Sequence, residues 1–170
     1  KISQDMFSLP SDEASIESLR RQILNGAYKI VDQSDSDGYK PGVNVVNVFA
    51  SGVMVADAIQ ASRFLVDEGL FANVINITSP DRLFRWHRES VAVVSRTLGQ
   101  STPFLSDILT PEEMVVPAVT VLDGHPHSLA WIGGALGTKS FPLGVSGFGQ
   151  SGGMNDLYKE YGIDVDSIVE

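Results

Sequence analysis

Apolar positions along the chain keep two different periods, and the periods alternate. Ile16, Leu19, Ile23 and Leu24 fall on one helical face, ahead of an Asn25-Gly26 stop. Ser11 is the expected N-cap of that helix, with Asp12 and Glu13 in the first turn where negative charge suits the helix dipole. Residues 27–31 read as a short strand. Residues 32–42 are polar, contain Asp37-Gly38 and Pro41-Gly42, and read as a turn. Residues 43–50 (VNVVNVFA) form a β-branched strand with small polar interruptions. These two strands are expected to pair as a hairpin at an antiparallel edge.

Ser51-Gly52 then opens a helix in which Val55, Ala58, Ile59, Ser62, Leu65 and Val66 keep helical spacing up to Gly69. Residues 72–78 (ANVINIT) are the next strand. Ser79-Pro80-Asp81 starts a helix expected to run from Arg82 to Leu98 and to end at Gly99. Residues 100–116 are less regular and are punctuated by Pro103 and Pro111, although Thr110-Pro111-Glu112-Glu113 has the form of a short helix start. Residues 118–122 are a buried strand, residues 126–136 a helix weakened by Gly133-Gly134, and residues 141–146 the last strand. Two short helices, 154–161 and 164–169, close the chain around Gly162. Residues 1–10 read as an irregular arm. Strand and helix alternate after the first pair, which marks an α/β fold. The expected architecture is a three-layer α/β/α sandwich on a mixed, mainly parallel sheet of about five strands with an antiparallel edge strand.

Composition narrows the function classes. The 170 residues suit one core, and the 43% apolar and 19% charged fractions are ordinary for a globular protein. The absence of cysteine removes disulfides, thiolate catalysis and Cys-based zinc sites. A net charge of -9 without a Lys/Arg cluster argues against nucleic acid and anionic membrane as partners. No apolar run approaches a bilayer span, and KISQDMFSLP has no signal-peptide pattern. With no initiating Met, the chain reads as a fragment or a processed product. Lys29, Lys40, Lys139 and Lys159 fall mostly in turns or exposed helix, so none reads as a Schiff-base lysine.

Each chemical motif competes with a plainer reading. Gly147-Phe148-Gly149-Gln150-Ser151-Gly152 matches G-x-G-x-x-G, but it follows the last strand and lacks the downstream acidic residue of a dinucleotide site. Gln33 to Gly38 partly resembles a calcium loop, yet Gln33 stands at the first ligand position and Asn44 where a bidentate Glu is needed. Asp123, His125 and His127 follow a central strand, where open α/β sheets bind ligands. They could serve as metal ligands or in acid-base work, or Asp123 or His125 could cap the next helix. Arg85, Trp86, His87 and Arg88 form a cationic-aromatic run on one helix and are candidate interface residues. No catalytic, cofactor-binding or metal-ligating set is assigned.

The close of the chain carries a resemblance. Val145 to Gly152, followed by Leu157-Tyr158-Lys159-Glu160-Tyr161-Gly162-Ile163-Asp164 and Ile168, resembles the end of the transketolase-like C-terminal domain, with its GFG-x-S turn and Tyr-Gly ending. Ile23 to Lys29 resembles the I-x-x-G-x-Y strand of the homodimeric pyruvate dehydrogenase decarboxylating component. Ala50-Ser51-Gly52 resembles its G-S-G turn, and Val74 to Thr78 with Arg82 to Glu89 its strand and Trp-bearing helix. The resemblance implies a division into an arm and linker helix (1–26) and a C-terminal-like domain (27–170). It also implies a cytoplasmic, homodimeric parent enzyme in which thiamine diphosphate and Mg²⁺ are bound by other domains. None of the family's cofactor ligands maps onto this chain. The implied partners are the parent's thiamine-diphosphate-binding domains and, for a multienzyme complex, an acyltransferase subunit. The implied role is assembly within a pyruvate-decarboxylating parent. A transketolase-type sugar-phosphate parent, or a stand-alone ligand-binding module, is the alternative.

Overall fold

The computed structural model describes residues 10–97 and 105–170. Helix α1 (Glu13–Asn25) leads into β1 (Ala27–Val31). Strand β2 (Val45–Ser51) follows, then a 3-10 turn (Gly52–Met54), α2 (Val55–Asp67), β3 (Phe71–Ile77) and α3 (Pro80–Thr97). The second half contains α4 (Pro111–Met114), β4 (Ala118–Val121), α5 (His127–Leu136), β5 (Ser140–Leu143), α6 (Met154–Glu160) and α7 (Val165–Val169). The expected end at Leu98 and Gly99, and the first nine residues of the arm, lie outside the described residues.

The five strands form one sheet in the order β1-β3-β2-β4-β5. Strand β2 pairs in parallel with both β3 and β4, and β4 pairs in parallel with β5. Among the described residues only β1 runs antiparallel, against β3, with Ala27 opposite Ile77. The mixed sheet with an antiparallel edge is therefore present, but the expected β1–β2 hairpin is not. Residues 32–44 form too long a connection for a tight hairpin. They carry the chain past β3 and into the middle of the sheet.

Side-chain alternation sorts the strands into two cores. Val48, Ala50, Ala72, Val74 and Val121 pack under Val55, Ala58, Ile59 and Leu65 of α2 and Ile168 of α7. Phe49, Ile75, Ile77 and Ala118 pack under Leu83 of α3, Leu129 and Ile132 of α5, and Leu105, Ile108 and Leu109. Helices on both faces make the three layers. Val66, placed by spacing on the buried face of α2, is 36% exposed at the helix end.

Helix α1 departs from expectation in two ways. Its N-cap is Asp12, not Ser11, because the Asp12 carboxylate accepts from the Ser15 N–H at 2.8 Å. No residue of α1 is buried, and Ile16, Ile23 and Leu24 are exposed. Polar bonds hold it: Gln22 Nε2 donates to the Asp107 carbonyl at 2.7 Å, and Thr78 Oγ1 to the Ile23 carbonyl at 2.9 Å. One of the two glycines of α5, Gly133, has a structural reason, while a Cβ on Gly134 would meet nothing within 4 Å. A Cβ on Gly133 would lie 2.1 Å from Ser140 Oγ, so its absence lets β5 close on the helix.

Candidate functional site

The parallel strands β2, β3 and β4 end on one rim, where the loop carrying Asp123 and His125 and the Gly147–Gly152 turn gather. Gly52 follows β2, Ser79 follows β3 and Asp123 follows β4. Asp123 Oδ1 lies 3.6 Å from where a Cβ on Gly52 would stand. The loop after β5 meets the loop after β4: Val145 N–H donates to the Gly124 carbonyl at 2.9 Å. A Cβ on Gly144 would lie 2.6 Å from the same carbonyl oxygen, so glycine is needed for this approach.

The structure brings His125 and His127 together, with ring centroids 4.6 Å apart and edge-to-face. His125 Nδ1 accepts from the His127 N–H at 3.3 Å, at the start of α5. The N-cap of α5 is Pro126, with no side-chain cap hydrogen bond, so this is a local bond of the turn that leads into the helix. Asp123, His125 and His127 are all exposed. Burial, then the nearby charges of Asp123 and Asp57, pushes the Tyr158 hydroxyl above its ordinary value, so the rim is locally acidic. Among the described residues no group of three or more His, Asp or Glu is placed to hold a metal ion.

The Gly147–Gly152 turn projects from the same rim. Phe148 at its tip is 97% exposed, and its carbonyl accepts from Tyr161 OH at 3.0 Å. The bond ties the turn's backbone to Tyr161, and the aromatic side chain stands in solvent. The Gln33–Gly38 segment is a turn tied to the core. Gln33 Nε2 donates to Ser62 Oγ at 3.3 Å, Gln33 Oε1 accepts from Ser36 Oγ at 2.7 Å, and Gln33 N–H donates to Asn73 Oδ1 at 3.0 Å. The residue at the first calcium position thus spends its side chain on the interior.

The cationic-aromatic run on α3 divides in the same way. Arg85 pairs with Asp81 at 2.7 Å in solvent, and Trp86 packs against the core. His87 stacks on Trp131 of α5 at 5.5 Å, and burial lowers its pKa. Phe84 meets Trp131 edge-on at 5.1 Å. Arg88 is exposed. Trp86 and His87 therefore join helices within the domain, while Arg85 and Arg88 face outward.

Pattern reading missed a polar cluster at the opposite end of the sheet. Glu113 is 1% exposed. Its carboxylate accepts from Lys29 Nζ at 3.0 and 3.1 Å, from Tyr39 OH at 2.6 Å, from Asn73 Nδ2 at 3.1 Å and from the Thr110 N–H at 2.9 Å. Asn47 Nδ2 donates to the Glu113 carbonyl at 2.7 Å. Lys29 is thus a partly buried ion-pair partner, with a side chain only 11% accessible. Burial disfavours ionised Glu113. The bonds from Tyr39, Thr110 and Lys29, together with the Lys29 charge, outweigh it and hold the carboxyl below its ordinary value. Burial and the bond to Glu113 push the Tyr39 hydroxyl up. The traces in the sequence were the Asn interruptions of two strands, Asn47 and Asn73, which face each other in register, and the Thr-Pro-Glu-Glu start.

Comparison with known proteins fits this architecture. Transketolase from Leishmania mexicana superposes with a TM-score of 0.56 at 27% identity, over 94% of this chain and 18% of that one. Transketolase from Campylobacter jejuni gives 0.56 at 19% identity, over 86% and 18%. The Pichia stipitis transketolase complex with sedoheptulose-7-phosphate gives 0.56 at 19%, over 88% and 18%. The two matches at 19% speak to the fold alone. The chain spans under a fifth of the length of these transketolases. No curated protein matches it. The model of the transketolase-like TK C-terminal domain matches residues 26–164, most of the chain. The chain belongs to the transketolase-like C-terminal domain family.

Proposed function

We propose that this chain is the assembly domain of a larger thiamine-diphosphate enzyme. Residues 1–26 serve as arm and linker helix and residues 27–170 as the domain. The cofactor chemistry belongs to the parent's other domains. The observation that carries the reading is the rim: exposed Phe148, on a turn whose backbone is bonded by Tyr161, and exposed Asp123, His125 and His127, which together offer a contact surface. Docking of this rim on the cofactor-binding domains, within a homodimer, is the role we assign.

Two parents fit. The matches at Ile23 to Lys29 and Ala50 to Gly52 favour a cytoplasmic pyruvate-decarboxylating component, with an acyltransferase subunit as a further partner. The solved transketolases of the same fold favour a sugar-phosphate enzyme. Calorimetry and turnover assays test the common reading: the 170-residue chain should neither bind thiamine diphosphate with Mg²⁺ nor turn over pyruvate. Turnover by this chain alone would sink it. Pyruvate decarboxylation against ketose transfer, measured on the full-length parent, separates the two.

A further inference from the structure

Three dipeptides in the chain have the chemistry for spontaneous succinimide formation: Asn25-Gly26, Asp37-Gly38 and Asp123-Gly124. Glycine leaves its own amide nitrogen unshielded, so the nitrogen can attack the preceding side-chain carbonyl. Of the three, Asn-Gly reacts fastest in a free chain, because ammonia is lost more readily than water from an ionisable carboxyl. The fold changes that order. The Gly26 N–H caps α1 by donating to the Gln22 and Ile23 carbonyls, both at 3.2 Å, and Gly26 is buried. A Cβ there would meet Ser79 O at 2.8 Å and Leu83 N at 3.1 Å, so the peptide unit is caged. Gly124 is half-buried, and a Cβ there would meet the Leu122 side chain at 3.4 Å. Asp37 and Gly38 are both exposed on the polar turn, and the nearest atom to a Cβ on Gly38 is 4.0 Å away.

We infer that Asp37 is the isoaspartate-forming site of the folded domain, and that its modification loosens the buried Glu113 cluster. The Gly38 nitrogen attacks Cγ of the neutral Asp37 carboxyl. A C–N bond forms, a C–O bond breaks, and one water leaves with the amide proton. Hydrolysis at the α-carbonyl returns the water and reroutes the main chain through Cβ and Cγ. The backbone gains a methylene two residues before Tyr39, whose hydroxyl reaches Glu113 at 2.6 Å and whose ring packs on Phe71 at 5.8 Å.

The test incubates the 170-residue chain in ¹⁸O water, folded in mildly acidic and mildly alkaline buffer and unfolded in urea, with fragmentation that distinguishes isoaspartate. In the folded chain the label should enter residue 37 first and fastest in acid, and Asp37→Glu should abolish it. Asn25 should react at least about tenfold slower folded than unfolded, the factor that about 1.4 kcal/mol of local protection carries. The isoaspartate-37 fraction should unfold at lower urea than untreated protein. Equal Asn25 rates folded and unfolded, or label entering residue 123 ahead of residue 37, would overturn the site. An unchanged urea midpoint would overturn the link to Glu113.

Discussion

Glu113→Ala is the sharpest probe of the buried cluster. The substitution removes the acceptor of the Tyr39 hydroxyl, the partner of Lys29 Nζ and half of a capping box in which Glu113 N–H also donates to Thr110 Oγ1. Breaking a buried ion pair from one side costs about 3–5 kcal/mol, because the other charge is left behind. Lys29 keeps a second contact, Asp32 at 3.3 Å, whose side chain is 53% exposed and which offsets part of that loss. The expected loss is therefore about 3 kcal/mol for the alanine variant. Glu113→Gln keeps one oxygen acceptor, turns the other into a donor facing donors and also leaves the Lys29 charge unpaired, so its loss should be close to that of the alanine variant, about 3 kcal/mol. In a domain of this size about 3 kcal/mol lowers Tm by about 6–12 °C. Urea melts should show a lower midpoint with an unchanged slope. The acid limb adds a second readout. The folded carboxyl sits below its ordinary value of 4.5, so its contribution is full above that value. It is lost as pH falls through the folded value. Wild type should therefore lose more stability than Glu113→Ala over that window. Parallel acid limbs, or an alanine loss under about 1 kcal/mol, would refute the reasoning.

Other outcomes follow from single positions. Thr120 is fully buried and its Oγ1 has no hydrogen-bond partner among the described residues, so Thr120→Val should raise stability by about 1 kcal/mol in a urea melt. Gly133→Ala should destabilise by about 1–3 kcal/mol despite its better helix propensity, because the new Cβ overlaps Ser140. Adding Ser140→Gly should recover most of that loss. Phe148→Ala should leave the melt of this chain within about 0.5 kcal/mol while weakening the homodimer proposed above for the parent, read by analytical ultracentrifugation.

Much of the fold was legible because the two hydrophobic periods are clean. The β-branched runs gave the strands, and Gly26, Gly69 and Gly162, all at positive φ, gave the stops. Strand order was not legible. Periodicity assigns a face to each residue, while the neighbour of β1 is settled by where residues 32–44 deposit the chain. The Glu113 cluster was hidden by distance: Lys29, Tyr39 and Asn73 lie 84, 74 and 40 positions away in sequence. The Thr-Pro-Glu-Glu pattern revealed the cap, and nothing local revealed the second use of the same carboxylate. For Asp123, His125 and His127 the strand-end position was readable, but their exposure and the mutual His–His contact required the fold.

The placement of β1 has a consequence for the order of assembly. This strand leaves the ribosome before the strand that will receive it exists. Ala27 pairs with Ile77, so β2, the 3-10 turn and α2 must be synthesised before the ladder can form. The β2–α2–β3 unit can condense first from contacts close in sequence, and β1 then adds to its edge at the expense of a long loop closure. Until it does, the Ala-Tyr-Lys-Ile-Val segment presents an unpaired strand to its surroundings. Lys29, in the middle of that segment, acts twice. In the nascent chain its charge opposes pairing with other strands, and in the finished domain Glu113 neutralises it. Closing β1 brings the two charges together, so the residue that protects the waiting strand also registers its arrival.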